Sequence, residues 1–256
     1  MAAGTTVFDE AYFTGGTKSN YQDYEREAEA AIDEAFMPSI RQYAAAARPA
    51  GRTPSSLDVG CAMGFYVERL AADGWDAHGI DISDYAVARG RARGVATLQV
   101  GSVSELPFPD ARFDLVTAID VIEHLDPDLA ARCVEEVHRV LRPGGLAFFA
   151  TPNYLDNAFW NVFTPGFTDP DKTHINYQSV SALREAFADY AECHVYGHTP
   201  FIGQFRAADA SAAFTGRGLD LPLVRSFARR VGRRMAWRLL GRDPVYAAYL
   251  HAVAIR

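Results

Sequence analysis

The 256-residue sequence has few cysteines, no long apolar run and no excess of positive charge. Its three cysteines, Cys61, Cys133 and Cys193, are widely spaced and include no C-x-x-C pair, which excludes a disulfide framework and a cysteine-based zinc cluster. No stretch reaches the roughly 18 consecutive apolar residues that a transmembrane segment needs. The formal net charge of -7 gives no general attraction to DNA or to an anionic membrane. We therefore expect a soluble protein of the cytoplasm, a reducing compartment, that does not bind DNA.

The N-terminal part of the chain is predicted to be helical. Residues 21–36 are rich in helix formers, and acidic residues near the start of this segment favour the positive end of a helix dipole. Pro38 should end or interrupt this helix, and residues 39–47 can form a second one. Residues 1–13 lack a basic region followed by an apolar run, so we expect no secretory signal peptide.

From residue 56 onward, short apolar runs alternate with longer segments of helical pattern. The predicted strands cover residues 56–60, 76–83, 96–102, 112–120, 146–153, 192–200 and 245–256. The predicted helices cover residues 64–74, 84–94 and 126–145, the last with Pro143-Gly144-Gly145 as its stop, and a helical insertion at roughly 203–240 before the last strand. This alternation is typical of an α/β fold with a doubly wound, seven-stranded, mostly parallel sheet. Such sheets bind ligands beyond the carboxyl ends of their strands, where the strand order reverses.

The first predicted strand runs into a glycine-rich turn, residues 57–65, with the sequence LDVGCAMGF. Turns at this place hold nicotinamide dinucleotides, nucleotide phosphates or S-adenosylmethionine. The dinucleotide fingerprint, aligned on Gly60, needs glycines where this chain has Ala62 and Phe65, so a nicotinamide dehydrogenase is the weaker alternative. No Gly-Lys-Ser or Gly-Lys-Thr follows the turn, which excludes a phosphate-binding P-loop.

Four features, taken together and in order, resemble the class I S-adenosylmethionine-dependent methyltransferases. The turn is similar to the family's first motif, D-x-G-x-G-x-G, and Asp81 ends the second strand at the expected distance after Asp58. Residues 106–116 read LPFPDARFDLV and are followed by the family's Glu-His-Leu signature at residues 123–125, with a Pro-Gly-Gly turn before the fifth strand. The resemblance implies a Rossmann-like methyltransferase fold, S-adenosylmethionine as cofactor, S-adenosylhomocysteine as product and methyl transfer as the activity.

The same resemblance implies which residues contact the cofactor. The turn beneath the methionine portion is formed by Gly60, Cys61, Ala62, Gly64 and Phe65, and free N–H groups of the following helix suit the methionine carboxylate. The other expected contacts are Asp58 and the Ile119 carbonyl near the methionine amine, Asp81 on the ribose, Ile82, Ser102 and Val103 around the adenine, Asp120 after the fourth strand, and Tyr21 from the N-terminal segment. Ala62 replaces the family's middle glycine, and we expect it to adopt a negative φ with little change in the backbone. Ser102 stands where the family often has Asp and would bond the adenine amine without charge.

Polar residues after the fourth strand are the candidates for catalysis. If the chain becomes helical there, Asp120, Glu123 and His124 lie on one helix face, and His174 from a later segment can approach the same place. We predict His124 or His174, with Asp120, as the catalytic base group, since a hydroxyl acceptor has to lose its proton. The set is similar to the E-x-x-E-H pattern with a distal His of some metal-assisted O-methyltransferases, of the ubiquinone-pathway and small-RNA types, although Asp120 is shorter than the Glu of that pattern. We predict no metal site and keep metal assistance as an alternative.

Further segments are assigned from composition and position. We expect residues 1–50 to form a helical cap over the cofactor and residues 51–256 to form the methyltransferase domain. Within that domain the aromatic segment 152–177, which includes Phe159, Trp160, Phe163 and Phe167, is predicted to be a lid and substrate wall. Arginines at helical spacing along residues 221–242 predict a basic helix face that is either solvated or contacts an acidic substrate, a carrier protein or a membrane surface.

The predicted function is methyl transfer from S-adenosylmethionine to a small-molecule acceptor, at a hydroxyl group, by in-line displacement aided by a His/Asp base. The alternatives are N-methylation of an amino sugar or peptide amine, metal-assisted O-methylation, methylation of RNA or protein, and a non-catalytic S-adenosylmethionine-binding module. The oligomeric state is left open, with a homodimer among the options. The sequence does not identify the acceptor.

Overall fold

The computed structural model describes residues 7–16, 19, 21–153, 171–198 and 249–256. The described helices are Glu10–Phe13 (α1), Tyr24–Ala31 (α2), Met37–Ala47 (α3), Phe65–Ala72 (α4), Asp84–Ala92 (α5), Pro127–Val140 (α6) and Val180–Ala186 (α7). The described strands are Ser55–Val59 (β1), Asp76–Asp81 (β2), Leu98–Val100 (β3), Phe113–Ile119 (β4), Leu141–Pro152 (β5), Glu192–His198 (β6) and Tyr249–Ile255 (β7). A 3₁₀ turn, Ile122–His124, follows β4.

The strands form one seven-stranded sheet in the order β3-β2-β1-β4-β5-β7-β6. Strands β1 to β5 pair in parallel, and β7 runs antiparallel to both β5 and β6. The order reverses between β1 and β4, so the loops that follow these two strands flank one crevice. The predicted doubly wound, mostly parallel sheet of seven strands is therefore confirmed.

Each face of the sheet is covered by an apolar core. Alternate residues of β4 point to opposite faces, as the pleat requires: Val116 packs into one buried cluster and Leu115 into the other. The first cluster is closed by α6 and α7, and the second by α3, α4 and α5. All residues of β1 and β4 are buried, including the polar residues Asp58 and Thr117, whose side chains hydrogen-bond each other. The two cores hold the carboxyl ends of β1 and β4 in place.

Two helix boundaries differ from the sequence-based expectation. The helix predicted at residues 21–36 is α2, and it ends at Ala31, ahead of Pro38. Pro38 lies in the first turn of α3, where its missing N–H needs no partner. Helix α6 ends at Val140, before the Pro-Gly-Gly sequence, which instead lies in the first part of β5. Gly144 has φ +76° there, a backbone conformation that favours glycine.

The N-terminal segment packs onto the glycine-rich turn through aromatic side chains. Tyr12 and Phe13 are buried in one cluster with Ala62, Met63 and Phe65 of the turn and α4. The Tyr12 and Phe13 rings contact each other edge to face at 5.1 Å. This packing brings residues 8–13 and 21–24 next to the turn, and the expectation that residues 1–50 form a helical cap over the cofactor stays a prediction.

Some predicted segments lie outside the described residues. These are most of the expected lid, residues 154–170 with its four aromatic side chains, the helical insertion at 203–240 and the arginine-rich segment 221–242. Among the described helices, none is both long and apolar enough to cross a membrane.

Candidate active site

The glycine-rich turn between β1 and α4 forms one wall of the crevice. Gly60 has φ +71°, and a Cβ there would lie 2.4 Å from Val121 Cγ2, so any larger residue would collide with the loop after β4. Gly64, at φ +79°, precedes α4 and gives it no side-chain cap. The first N–H groups of α4 are therefore left for another acceptor, such as a carboxylate. The Cys61 side chain packs against Gly79 of β2. A Cβ at Gly79 would lie only 2.7 Å from Cys61 Sγ, so a larger residue there would collide with it.

Ala62 adopts a left-handed backbone conformation, with φ +44°. The expectation of a negative φ at this position is therefore wrong. The Ala62 N–H donates to Asp81 Oδ2 at 2.7 Å, and this hydrogen bond together with the flanking glycines holds the residue in a conformation that costs an L-residue roughly 1–2 kcal/mol.

We expect Ala62→Val to lower the free energy of unfolding by about 1–3 kcal/mol, because a β-branched residue tolerates a positive φ poorly and the site is buried. Urea denaturation followed by circular dichroism measures this. The matched control is Ala71→Val on the exposed face of α4, which should cost only about 0.5 kcal/mol through helix propensity. Equal losses in the two variants would contradict a left-handed Ala62.

Two buried carboxyl groups lie at the ends of β1 and β2. Asp58 is 2% exposed and accepts a 2.6 Å hydrogen bond from Thr117 Oγ1 on β4; burial, helped by the charge of Asp81, raises its pKa to about 7. Asp81 accepts from the N–H groups of Ser83 at 2.8 Å and Ala62 at 2.7 Å. Burial raises the pKa of Asp81, and these N–H donors oppose the rise. Asp81 thus ties the turn to the end of β2 and places a carboxyl group at the crevice.

Asp120 and Glu123 form a buried carboxyl pair after β4. The predicted helix face is wrong, because Asp120 has φ +52° and only the short 3₁₀ turn follows it. Glu123 is fully buried and accepts from Thr151 Oγ1 at 2.9 Å. Two further oxygens, Asp120 Oδ1 and Glu123 Oε1, are buried and have no hydrogen-bond partner among the described residues. Burial raises both pKa values, and the charge of Asp120 raises the pKa of Glu123 further.

His124 and His174 come together beside this pair. Their ring centroids are 4.8 Å apart, although the two histidines are 50 positions apart in the sequence. The segment with His174 is held by N–H groups of Ile175 and Asn176, which both donate to the Glu123 carbonyl at 2.9 Å. His174 lies close enough to Asp120 to lower the pKa of that carboxyl, in opposition to burial. The structure thus brings together all three side chains that the sequence pointed to as catalytic.

The sequence matches one family model and is similar to named relatives. Residues 57–149 match the family model described as a methyltransferase domain. The chain is 32% identical over 180 residues to a protein of Mycobacterium tuberculosis named as a probable S-adenosylmethionine-dependent methyltransferase, an alignment that covers 67% of this chain and 60% of the relative. It is 31% identical over 172 residues to the ubiquinone biosynthesis O-methyltransferase of Methylococcus capsulatus, covering 61% of this chain and 71% of the relative. The chain belongs to the class I S-adenosylmethionine-dependent methyltransferases.

A solved structure supports the fold of this methyltransferase. The crystal structure of an S-adenosylmethionine-dependent methyltransferase from Archaeoglobus fulgidus superposes with a TM-score of 0.60 at 15% identity, covering 91% of this chain and 99% of that one. At this identity the likeness shows the fold alone. The chain covers 60% of the length of the mycobacterial relative.

The residues expected around the methionine portion lie along one crevice. Val59 and Ile119 end neighbouring parallel strands, so Asp58, the turn and the Ile119 carbonyl border the same crevice. Phe65 is an exception: it is 2% exposed, and the Arg93 guanidinium lies over its ring at 3.8 Å. The Phe65 side chain therefore supports the turn from inside the core, and its expected contact with the cofactor stays a prediction.

The residues expected around the adenine follow β2 and β3. Ile82 is half-buried directly after Asp81, and its N–H also faces the Asp81 carboxyl. Ser102 Oγ accepts from the Ser104 N–H at 3.2 Å and lies 2.8 Å from Ser104 Oγ, so part of its hydrogen-bonding capacity is used within the loop. Val103 is buried in the apolar core. These positions agree with an adenine pocket whose polar contact is uncharged.

Tyrosines from distant parts of the chain surround the carboxyl pair. Burial raises the pKa of Tyr21, and the charge of Asp120 adds to this rise. Burial, followed by the charge of Asp120, raises the pKa of Tyr66 on α4, and the charge of Asp120 together with burial raises the pKa of Tyr249 on β7. Tyr21 is thereby placed at the crevice, as expected from the sequence, whereas Tyr66 and Tyr249 were not anticipated.

Three side chains have a donor set that suits a divalent cation. Glu123, His124 and His174 each offer one ligand atom, and these atoms lie within 4.8 Å of one another. A carboxylate with two imidazoles is a ligand set for transition metals such as zinc, manganese or iron. Glu123 would have to lose its proton on binding, which the charge of a cation favours.

Two polar residues near the histidines were not predicted from the sequence as site residues. Asp171 and Thr173 lie in the same short segment as His174, and Thr173 Oγ1 is 2.8 Å from His124 Nδ1. The only signal was the concentration of polar residues in DKTHINY, residues 171–177. Such a cluster is common in loops, and its pairing with His124 depends on the tertiary fold.

Proposed function

We propose that this protein transfers a methyl group from S-adenosylmethionine to a hydroxyl group of a small-molecule acceptor. The observation that carries the proposal is the pair of imidazoles, His124 and His174, beside the Asp120 and Glu123 carboxyl groups at the crevice. An imidazole there is suited to take the proton of a hydroxyl nucleophile. The similarity to a ubiquinone biosynthesis O-methyltransferase supports oxygen as the acceptor atom.

The chain's own residues would perform binding, proton transfer and exclusion of water. S-adenosylmethionine supplies, when bound, a methyl group activated by the positive sulfonium. The turn at residues 60–64 and Asp81 hold the cofactor, and His124 accepts the proton of the acceptor hydroxyl, so that its oxygen becomes the stronger nucleophile. Aromatic residues of the N-terminal segment keep the crevice dry, which favours transfer to the acceptor over side reactions with water.

The test is methyl transfer by the purified full chain from methyl-labelled S-adenosylmethionine to a panel of phenols, sugar hydroxyls, carboxylates and amines. Labelled ethers support the proposal. Labelled amines alone would change the acceptor atom to nitrogen. Binding of S-adenosylhomocysteine without any transfer would indicate a non-catalytic module.

A metal-assisted form of the same reaction is a second candidate, which the spacing of Glu123, His124 and His174 favours. A divalent cation held by these residues would lower the pKa of the acceptor hydroxyl. The two imidazoles would then serve as ligands, and neither could act as the base.

We expect removal of divalent cations with EDTA to leave kcat unchanged within about twofold, because proton transfer to His124 needs no cation. Initial rates before and after chelation, with elemental analysis of the purified protein, measure this. A loss of activity that added Mg²⁺, Mn²⁺ or Zn²⁺ restores would favour the metal-assisted candidate.

A further inference from the structure

A chain of hydrogen bonds holds one nitrogen of the His124 ring. Thr173 Oγ1 lies 2.8 Å from His124 Nδ1 and 2.6 Å from Asp171 Oδ1. Asp171 Oδ1 also accepts from the Thr173 backbone N–H at 2.9 Å, and Asp171 Oδ2 accepts from the Tyr12 hydroxyl at 2.9 Å. Asp171 is only 4% exposed, so these hydrogen bonds are shielded from water. Three segments of the chain therefore meet at one carboxyl group.

The direction of each hydrogen bond follows from the number of protons. A carboxylate only accepts, and a threonine hydroxyl has one proton to donate. That proton goes to Asp171, since the charged acceptor forms the stronger hydrogen bond. Thr173 Oγ1 can then only accept from His124, which must donate from Nδ1. A neutral imidazole with its proton on Nδ1 carries its lone pair on Nε2.

We propose that Thr173 and Asp171 are positioning residues that hold His124 in the Nδ1–H tautomer and so leave Nε2 as the atom that accepts the hydroxyl proton. The role of Nε2 rests on the proposed function, whereas the tautomer does not. The Tyr12 hydroxyl fixes the second oxygen of Asp171, and the Phe8 ring packs edge-on against His124 at 5.5 Å. The N-terminal segment thus takes part in orienting the base.

The tautomer can be observed without an activity assay. Long-range ¹H–¹⁵N correlation spectra of the full chain at pH 8 distinguish a protonated ring nitrogen from one that carries a lone pair. The signals that disappear in His124→Gln identify His124. We expect Nδ1 to be the protonated nitrogen in the wild type and in Thr173→Ser, which keeps the hydroxyl. In Thr173→Val, which keeps the shape and loses the hydroxyl, we expect the Nδ1–H form to lose its dominance.

Kinetics separate positioning from simple folding effects. With an accepted hydroxyl substrate, Thr173→Val should lower kcat by about 10- to 100-fold with KM little changed, as is typical when the partner that orients a functional histidine is removed. Thr173→Ser should restore most of the activity. The matched control is Thr97→Val, an exposed threonine far from the histidines, which should leave kcat unchanged.

Each outcome of these experiments decides the inference. A wild-type spectrum with the proton on Nε2, or with both nitrogens protonated, overturns it, as does an unchanged tautomer in Thr173→Val. If Thr173→Val does not fold, the wild-type spectrum still decides which nitrogen carries the proton. Absence of methyl transfer to any hydroxyl would reject the proposed function and leave the tautomer result standing.

Discussion

The variant His124→Gln should lower kcat by about 100- to 10,000-fold, the usual contribution of a general base. Glutamine keeps a polar group within reach of Thr173 and cannot accept a proton at neutral pH. The loss corresponds to about 2.7–5.4 kcal/mol in activation free energy. Initial rates with saturating S-adenosylmethionine and an accepted hydroxyl substrate measure it. Binding of S-adenosylhomocysteine should be nearly unchanged, since the turn and Asp81, which are expected to hold the cofactor, are untouched.

The matched control is His194→Gln on the exposed surface of β6. It makes the same chemical change outside the crevice and should leave kcat as in the wild type. The companion variant His174→Gln tests which imidazole takes the proton. A large loss in His174→Gln and near-normal activity in His124→Gln would assign the base to His174 and contradict the proposed mechanism.

The second large effect is expected from Asp81→Ala, which should weaken binding of S-adenosylhomocysteine by about 1–3 kcal/mol, or roughly 5- to 150-fold. The carboxyl group is the expected ribose acceptor, and it also holds the N–H groups of Ala62 and Ser83. Its removal leaves both buried donors without their acceptor and loosens the turn. Calorimetric titration well below the melting temperature measures the affinity without interference from unfolding.

Protein stability should fall as well in Asp81→Ala, by about 1–3 kcal/mol for the donors that lose their partner. The loss in unfolding free energy should lie towards the lower end of this range. Burial of the charged Asp81 carboxyl already costs stability in the wild type, as its raised pKa indicates, and the variant is relieved of that cost. Asp84→Ala removes an exposed carboxyl group from the first turn of α5 and is the matched control. It should cost about 0.3–1 kcal/mol in stability through the helix dipole and leave affinity unchanged. An unaltered affinity in Asp81→Ala would refute the ribose assignment.

The sequence motifs pointed to this crevice because each motif lies in a short stretch of chain directly after a predicted strand. Asp58, the glycine turn and Asp81 each follow directly from a strand that the alternating pattern predicts. The carboxyl ends of neighbouring parallel strands meet at one edge of the sheet, so the position of these residues needs only the strand order. The same reasoning brought Asp120 and His124 to the crevice at the end of β4.

The local conformations were harder to predict. Ala62 was expected at a negative φ, since a methyl group disfavours the left-handed region, yet the hydrogen bond to Asp81 and the flanking glycines hold it there. Asp120, Glu123 and His124 were expected on one helix face. They reach the crevice through a left-handed residue and a 3₁₀ turn instead. In both places contacts with distant residues override the intrinsic preference of the backbone.

The sequence by itself determined the doubly wound sheet, the family and the edge of the sheet where the cofactor is expected, because periodicity and motif order are properties of short stretches. The tertiary structure decided the proton chemistry of the candidate site. The raised pKa values of Asp120 and Glu123, and the contact between His124 Nδ1 and Thr173, depend on residues that are far apart in the chain. Burial and hydrogen-bond partners control protonation, and both exist only after the segments have packed together.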